Sequence, residues 1–377
     1  MKINSFKFSN HKEDWHIKRV YFDDLNLLVG ASGVGKTRIL RALDLICDVA
    51  KDRVRGLDDL EWEINFSHSG KEYRWDLKSS VSIDEALSSE QGQAEISYEK
   101  LIQVDGTQET EIFSRTDSES KLNNEKLPKL KRTESAITLL SEEDSILPVR
   151  EAFKRFIFNE ISQEKFLSLP FDLDNISILE PEIIDLDSFK KASANTPTVL
   201  KAYFLQKFFP EIFNEIKLCY LNIFPNINDV RIGVDKESRN RHRLSFEITE
   251  SDSDDWIPQQ RISSGMFRTL TYLVEILAAP EDSVIAIDEF ENSLGINCMP
   301  DLTDFILDHS LKLQFIFTSH HPYIINNIPW ETWQIVGRNG NQVKVRKATE
   351  IHQLKTASSL DKFTQLVNLL ANEGDVA

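Results

Sequence analysis

Gly30-Ala31-Ser32-Gly33-Val34-Gly35-Lys36-Thr37 fits G-x-x-x-x-G-K-[ST], the pattern of a phosphate-binding loop. Ahead of it, Leu25, Leu27, Leu28 and Val29 make an apolar run that reads as a buried strand. Behind it, Ile39, Leu40, Leu43, Ile46 and Cys47 recur at helical spacing. Strand, loop and helix in that order are the setting the pattern needs. Glycines let backbone N–H groups turn toward a phosphate, and the new helix adds the positive end of its dipole. Lys36 would then reach the β- and γ-phosphates of ATP, and the Thr37 hydroxyl would ligate Mg²⁺. Arg38, next in line, closes the candidate ATP-binding stretch.

The chain has 377 residues, enough for two or three domains, and 41% hydrophobic residues, enough for a sizeable core. Its formal net charge is −17. Such a balance disfavours indiscriminate binding of phosphate backbones but leaves room for a local basic groove, so nucleic acid stays open as a partner. Cys47, Cys219 and Cys298 are far apart and odd in number, which argues for reduced thiols in a cytoplasmic protein rather than a disulfide framework or zinc hook. Residues Met1 to Asn10 lack the apolar core of a signal peptide. No window approaches 18 uncharged apolar residues, so no membrane span is expected.

Along the chain, Ile3, Phe6 and Phe8 predict an opening strand and Val20 to Phe22 a second. Glu61 to Phe66, Tyr73 to Leu77, Ala94 to Tyr98, Leu101 to Val104 and Glu111 to Phe113 predict an antiparallel β-layer. Thr116 to Lys131 reads as a polar loop, and its basic cluster of Lys126, Lys129, Lys131 and Arg132 as a solvated charge run. From Ser135 the spacing turns helical: Val149, Phe153, Phe156 and Ile157, then Thr198 to Phe208, then Ile212 to Ile223. Val230 to Val234 and Arg243 to Ile248 read as a hairpin. Gly265 to Leu277 is helical, Val284 to Ile287 and Gln314 to Phe317 are short buried strands, and Asp301 to Leu307 is helical. Trp333 to Val336 and Val343 to Val345 pair around Asn339-Gly340-Asn341, and a helix over Leu360 to Leu370 closes the chain. The expected organisation is 1–134 (first half of a nucleotide-binding head), 135–225 (helical insertion) and 226–377 (second half).

Three further stretches carry chemistry. Val284-Ile285-Ala286-Ile287 runs into Asp288-Glu289, placing Asp288 to hold Mg²⁺ together with Thr37, and Glu289 to orient and deprotonate a water. Ile262-Ser263-Ser264-Gly265 sets small residues at a helix N-terminus, where bare N–H groups and the dipole favour an anion. An ordinary serine cap explains the same residues, and the two roles are compatible. Phe317-Thr318-Ser319-His320-His321-Pro322 follows a buried strand, and a histidine at the carboxyl end of a parallel strand lies beside the nucleotide crevice, which favours His320 over His321.

In this order the motifs resemble those of the ABC-type ATPases, and within them the soluble branch of RecF, SMC and OLD proteins. The resemblance spans roughly 1–110 and 226–350. It implies an α/β fold: a P-loop NTPase of ABC-ATPase type with an antiparallel β-layer and a helical insertion. Ser263, Ser264 and Gly265 stand for the signature, which acts in trans. Asp288-Glu289-Phe290-Glu291-Asn292-Ser293-Leu294 looks like the OLD-type D-E-x-E-N-x-L segment, with Asn292, Ser293 and Leu294 as the D-loop. Glu289 and His320 are the implied catalytic pair, Thr37 and Asp288 the metal ligands. Ser264 and Met266 depart from the commonest signature, and no Q-loop glutamine is assigned, Gln103 being only a candidate.

The resemblance further implies a head-to-tail dimer, or a higher homo-oligomer, with ATP sandwiched between Lys36 of one copy and Ser263 and Gly265 of the other. Resemblance to the ATPase subunits of Septu- or PARIS-type anti-phage systems implies a sensor. The 57 residues after His320 are too few for an OLD-type nuclease domain, so a separately encoded nuclease or toxin is the expected effector. A RecF-like ATPase that clamps DNA is the alternative. A transporter subunit is disfavoured by the 227 residues between Lys36 and Ser263.

Overall fold

Strands with no polar face belong where both sides of a sheet are covered, and three runs here are of that kind. β3 (Leu25–Val29), β15 (Val284–Ile287) and β16 (Gln314–Thr318) are buried along their whole length. In the computed structural model of the chain they lie side by side and parallel. The structure describes residues 1–54, 57–81, 94–159, 167–169, 185–194, 196–238, 241–253, 255–356, 358 and 361–371.

The described chain divides into two compact units. The first comprises 1–158, 282–290 and 310–377, the second 159–281 and 291–309. The stretch expected as an insertion, 135–225, is thus shared: 135–158 fall in the first unit and 159–225 in the second.

The first unit is built on one sheet of fourteen strands in the order β10-β15-β16-β3-β17-β18-β2-β1-β4-β5-β6-β7-β8-β9. β17 (Trp333–Asn339) continues the parallel set beside β3 and turns back antiparallel into β18 (Gln342–Lys347). β18 runs parallel to β2 (Trp15–Tyr21), which joins the parallel half to the antiparallel half. There β1 (Lys2–Asn10), β4 (Leu60–His68), β5 (Lys71–Ser80), β6 (Glu95–Asp105) and β7 (Gln108–Arg115) follow one another antiparallel. Alternation is clean on β4, where Leu60, Trp62, Ile64, Phe66 and His68 are buried while the residues between them are partly exposed. Helix α1 (Lys36–Ala50) lays the stripe Ile39, Leu40, Leu43, Ile46 and Cys47 into the same core.

Three expectations are corrected here. The stretches 94–98 and 101–104, expected as separate strands, fall from Glu95 onward in one strand, β6, with Ala94 bridging Leu57 just ahead of it. The polar stretch 116–131 is not all loop, because β8 (Ser120–Leu122) and β9 (Glu125–Lys126) form a small hairpin. Asn123 (φ 50°) and Asn124 (φ 68°) supply its left-handed turn, a conformation asparagine tolerates better than most residues. Within the basic cluster, Lys131 pairs with Glu134 and Arg132 with Glu95 and Asp117. Phe156 and Ile157 do not extend the helical pattern but form β10 (Phe156–Asn159) at the edge beside β15. Between α1 and β10 stand α2 (Ala136–Leu139) and α3 (Leu147–Phe153).

The second unit holds β12 (Ile227–Ser238) and β13 (Arg241–Glu250), joined antiparallel, with β11 (Leu167–Leu169) and β14 (Ile257–Pro258) also on β13. Its helices are α4 (Leu186–Ser193), α5 (Thr198–Phe208), α6 (Pro210–Ile223), α7 (Ser264–Leu277) and α8 (Met299–His309). Buried Lys201 on α5 pairs at 2.6 Å with Glu275 on α7, and the Thr198 hydroxyl donates to the same carboxylate at 2.6 Å. The chain ends, back in the first unit, with α9 (Pro322–Asn327), α10 (His352–Thr356) and α11 (Lys362–Ala371); Leu360, expected to open the last helix, lies outside the described residues.

On the polar face of the β-layer, Asp76 sits across from ion-paired Glu63 on one side and Lys100 on the other. One of its oxygens is buried without a hydrogen-bond partner. Burial first, and the Glu63 charge second, push its pKa up from 3.8 to about 6, against Arg74, Lys7 and Lys100. A carboxyl raised in the folded state contributes stability at low pH that is lost as pH rises through about 6. Asp76→Asn is therefore expected to be neutral near pH 4 and to stabilise by about 1–2 kcal/mol near pH 8. Urea unfolding of both proteins at the two pH values checks this, and equal differences at both would contradict it.

Candidate functional site

The phosphate loop joins β3 to α1, and its glycines answer to its surroundings. A Cβ on Gly30 would meet the Val336 carbonyl oxygen of β17 at 2.4 Å. Gly35, at φ 107°, would put one 2.9 Å from Val343 and 3.0 Å from the Trp15 ring. Neither position admits a side chain, because the loop packs closely on β17, β18 and β2. The Lys36 ammonium donates to the carbonyls of Gly30 and Ala31 at 2.8 Å each, spanning the loop from its far end.

Around this loop the first unit encloses a cavity of about 260 Å³. Ser32, Gly33, Gly35, Lys36, Thr37 and Arg38 line it from one side. Asp288, Glu289, Thr318 and His320 line it from the carboxyl ends of β15 and β16. Residues 250 or more positions apart in the sequence thus converge because β3, β15 and β16 are parallel and end on the same side. Cations dominate one wall and carboxylates the other. A hydroxyl and a carboxylate, Thr37 and Asp288, are the hard oxygen donors that suit Mg²⁺, which takes few protein ligands and completes its shell with phosphate and water.

The acidic wall is held rigidly. The Thr318 hydroxyl donates to Asp288 Oδ1 at 2.8 Å and accepts from the Glu289 N–H at 2.7 Å. Glu289 has φ 47°, a left-handed conformation that costs a non-glycine residue about 1 kcal/mol. The Phe290 N–H donates to the Thr318 carbonyl at 3.0 Å, and the Phe290 ring packs on Phe317 with centroids 5.8 Å apart. His320 is exposed at the cavity wall, whereas His321 turns its Nδ1 to accept from the Tyr323 N–H at 3.2 Å and so caps α9. Of the two histidines, then, His320 lines the cavity and His321 caps a helix.

Two cavity residues had no part in the expected site. Thr318 lies inside a stretch read for its histidine alone. Arg338 comes from the end of β17, reaches the cavity and donates from Nε to the Gly340 carbonyl at 2.6 Å. Arg38 lies over the Trp15 ring, 4.8 Å from its centroid, and 3.4 Å from Glu13, so its planar cation is braced at the rim. Gln103, the candidate Q-loop residue, is on β6 opposite Tyr73 and Thr110 and does not line this cavity.

The expected signature residues are in the second unit. Ser263 caps α7, its hydroxyl accepting from the Met266 N–H at 3.2 Å, and Ser264 is exposed in the first turn. A Cβ on Gly265 would meet the Ser293 carbonyl at 2.5 Å and the Gly295 nitrogen at 3.3 Å. The start of α7 therefore packs backbone to backbone on the expected D-loop, Asn292 to Leu294. Leu294 is buried, Ser293 has φ 64°, and its hydroxyl donates to the Asn292 side chain at 3.2 Å. The structure thus gathers the site residues into two constellations, one in each unit.

Among the described residues no helix is long and apolar enough to cross a membrane. Among solved structures, the chain is similar to an Smc head bound to the C-winged helix domain of ScpA, with 14% identity and a TM-score of 0.50, over 93% of this chain and 100% of that one. An Smc head with an extended coiled coil, bound to the C-terminal domain of ScpA derived from Pyrococcus furiosus, is 13% identical with a TM-score of 0.46, over 98% of this chain and 99% of that one. The first likeness is one of fold, and it agrees with a P-loop NTPase of mixed α/β architecture. A comparison with curated proteins gives no match. A family model described as "AAA domain, putative AbiEii toxin, Type IV TA system" matches residues 25–326.

Proposed function

Because the chain belongs to this AAA-domain family and folds as an ATPase of the ABC/SMC type, we propose that it is an ATP-hydrolysing switch working as a head-to-tail dimer. The observation that carries the reading is the single cavity in which Lys36, Thr37, Asp288, Glu289 and His320 meet. ATP is the substrate that this wall of loop amides and cations fits. Its phosphates would lie along the loop and the α1 N-terminus, with Lys36 on the terminal ones. Thr37 and Asp288 would hold Mg²⁺, which would supply neutralisation of the phosphate charge. Glu289 orients the attacking water and takes its proton, and His320 donates to the γ-phosphate side.

Support for a second copy comes from the second unit. The serine-capped end of α7 is exposed at Ser263 and Ser264 and braced from below by the D-loop backbone. Ile296, two residues past Leu294, is 82% exposed, an apolar side chain suited to contact with another protomer. Two ATP molecules would join the copies and hydrolysis would part them, a switch driven by the different ATP affinity of the two states.

A mixing experiment tests this arrangement. Lys36→Ala and Ser264→Arg proteins are each expected to be inactive in phosphate release. Mixed, they should regain activity, because one of the two composite sites then has an intact loop and an intact signature. A mixture no more active than its components would sink the dimer. At a finer level, the reading is of a sensor subunit of a prokaryotic anti-phage system that restrains or licenses a separately encoded nuclease or toxin. The family's description as a toxin system and the OLD-type motifs support it. Co-purification from the native host is expected to recover that effector. ATP-strengthened, salt-sensitive binding of duplex DNA in its place would favour a RecF-like clamp.

A further inference from the structure

We infer that Thr318 is a positioning residue that holds both acids of the hydrolytic wall in register through one hydroxyl and one carbonyl. The inference rests on the reading of the cavity as an ATP site. Thr318 ends β16 and is 1% exposed, so its groups must be satisfied by protein. It touches three successive residues of the neighbouring strand end: Asp288 by its hydroxyl hydrogen, Glu289 by its hydroxyl oxygen, and Phe290 by its carbonyl.

The direction of these bonds is fixed. The Glu289 N–H can only donate, so the Thr318 oxygen accepts there and its single hydrogen is left for Asp288. Committed in this way, the hydroxyl sets which oxygen of Asp288 is turned inward to the threonine and how the carboxylate is rotated toward the cavity. The second bond acts on the backbone. Glu289 is held at φ 47°, where an L-residue gains nothing on its own, and the N–H bond to Thr318 opposes relaxation of that peptide. Loss of the hydroxyl therefore loosens the carboxylate that serves the metal and the backbone that aims the base, together. Valine keeps the β-branched shape that a strand end prefers but has neither donor nor acceptor. Serine keeps both.

The test is Thr318→Val against Thr318→Ser, read by phosphate release over a range of Mg²⁺ and by Mn²⁺ titration of the nucleotide-bound protein. Thr318→Val is expected to lower kcat at least about tenfold and to raise the half-saturating metal concentration about tenfold, with ATP affinity within about threefold of wild type. Thr318→Ser should recover most of both. If Thr318→Val does not fold, Thr318→Ala is read in its place with the same expectations. Wild-type kcat and wild-type metal dependence in the hydroxyl-free variant would overturn the inference. Failure of the ATPase reading looks different: the wild-type protein itself would release no phosphate. Mn²⁺ titration still decides the role of Thr318 in that case, because unchanged metal affinity without the hydroxyl overturns it independently of turnover.

Discussion

Glu289→Gln protein is expected to hydrolyse ATP about 10²- to 10³-fold more slowly than wild type and to remain dimeric for as long as ATP is present. The amide keeps the length and shape of the side chain but cannot take a proton from water. Nothing that binds the triphosphate is altered, so ATP affinity should stay within about threefold and the whole loss should appear in kcat. The same substitution blocks the step that parts the two copies, so sedimentation in ATP should show a dimer that wild type forms only transiently. A variant that turns over normally would remove Glu289 from its role. One that binds ATP tightly yet stays monomeric would instead remove the sandwich.

The second large effect concerns stability. Glu99 is fully buried and accepts from the Arg115 guanidinium at 3.0 Å, the Trp75 indole at 3.1 Å and the Ala136 N–H at 3.0 Å. Arg115 in turn donates to the carbonyls of Lys131 (3.1 Å) and Glu134 (3.2 Å), pinning the end of the segment that carries the β8–β9 hairpin. Burial pushes the Glu99 pKa up and the Arg115, Ala136 and Trp75 groups oppose it. Glu99→Ala leaves the guanidinium in the core without its counter-charge and is expected to cost about 3–5 kcal/mol. Glu99→Leu combined with Arg115→Met should cost much less than the two changes summed, since it removes both charges at once. Urea unfolding of wild type, Glu99→Ala, each of the two single variants and the double variant measures it, and strictly additive losses would show that the pair is not coupled.

The same glutamate explains a misreading of the sequence. β6 is a single strand, yet its apolar pattern breaks at Glu99-Lys100, because a charged residue occupies an inward position that its partners make tolerable. Its partners, Arg115 and Trp75 on the two neighbouring strands and the Ala136 N–H, all lie outside the local stretch. Phe156 and Ile157 fall in phase with Val149 and Phe153, and a short apolar run cannot be told from a helix by spacing when its strand partner, β15, lies over a hundred residues away. What was legible were features written in one local stretch: the glycines of the loop, the apolar run into Asp288-Glu289, the serine cap of α7, and a histidine directly after a strand. Thr318 and Arg338 were not, since their part in the cavity follows from which strands are neighbours. Chain order does not state that β3 lies between β16 and β17.

The fourteen-strand sheet ends on one side in β9, two exposed residues, Glu125 and Lys126, of opposite charge, and on the other in β10, four residues long. Unpaired strand edges recruit foreign backbone, and the hazard grows with their length and flatness. Among the described residues the terminal strands of this sheet are thus too brief to template an incoming chain. The longer open edge lies on β7 ahead of Phe113, and there Gln108, Glu109 and Thr110 are exposed polar residues, Glu109 ion-paired with Arg74, which blunts it as a template.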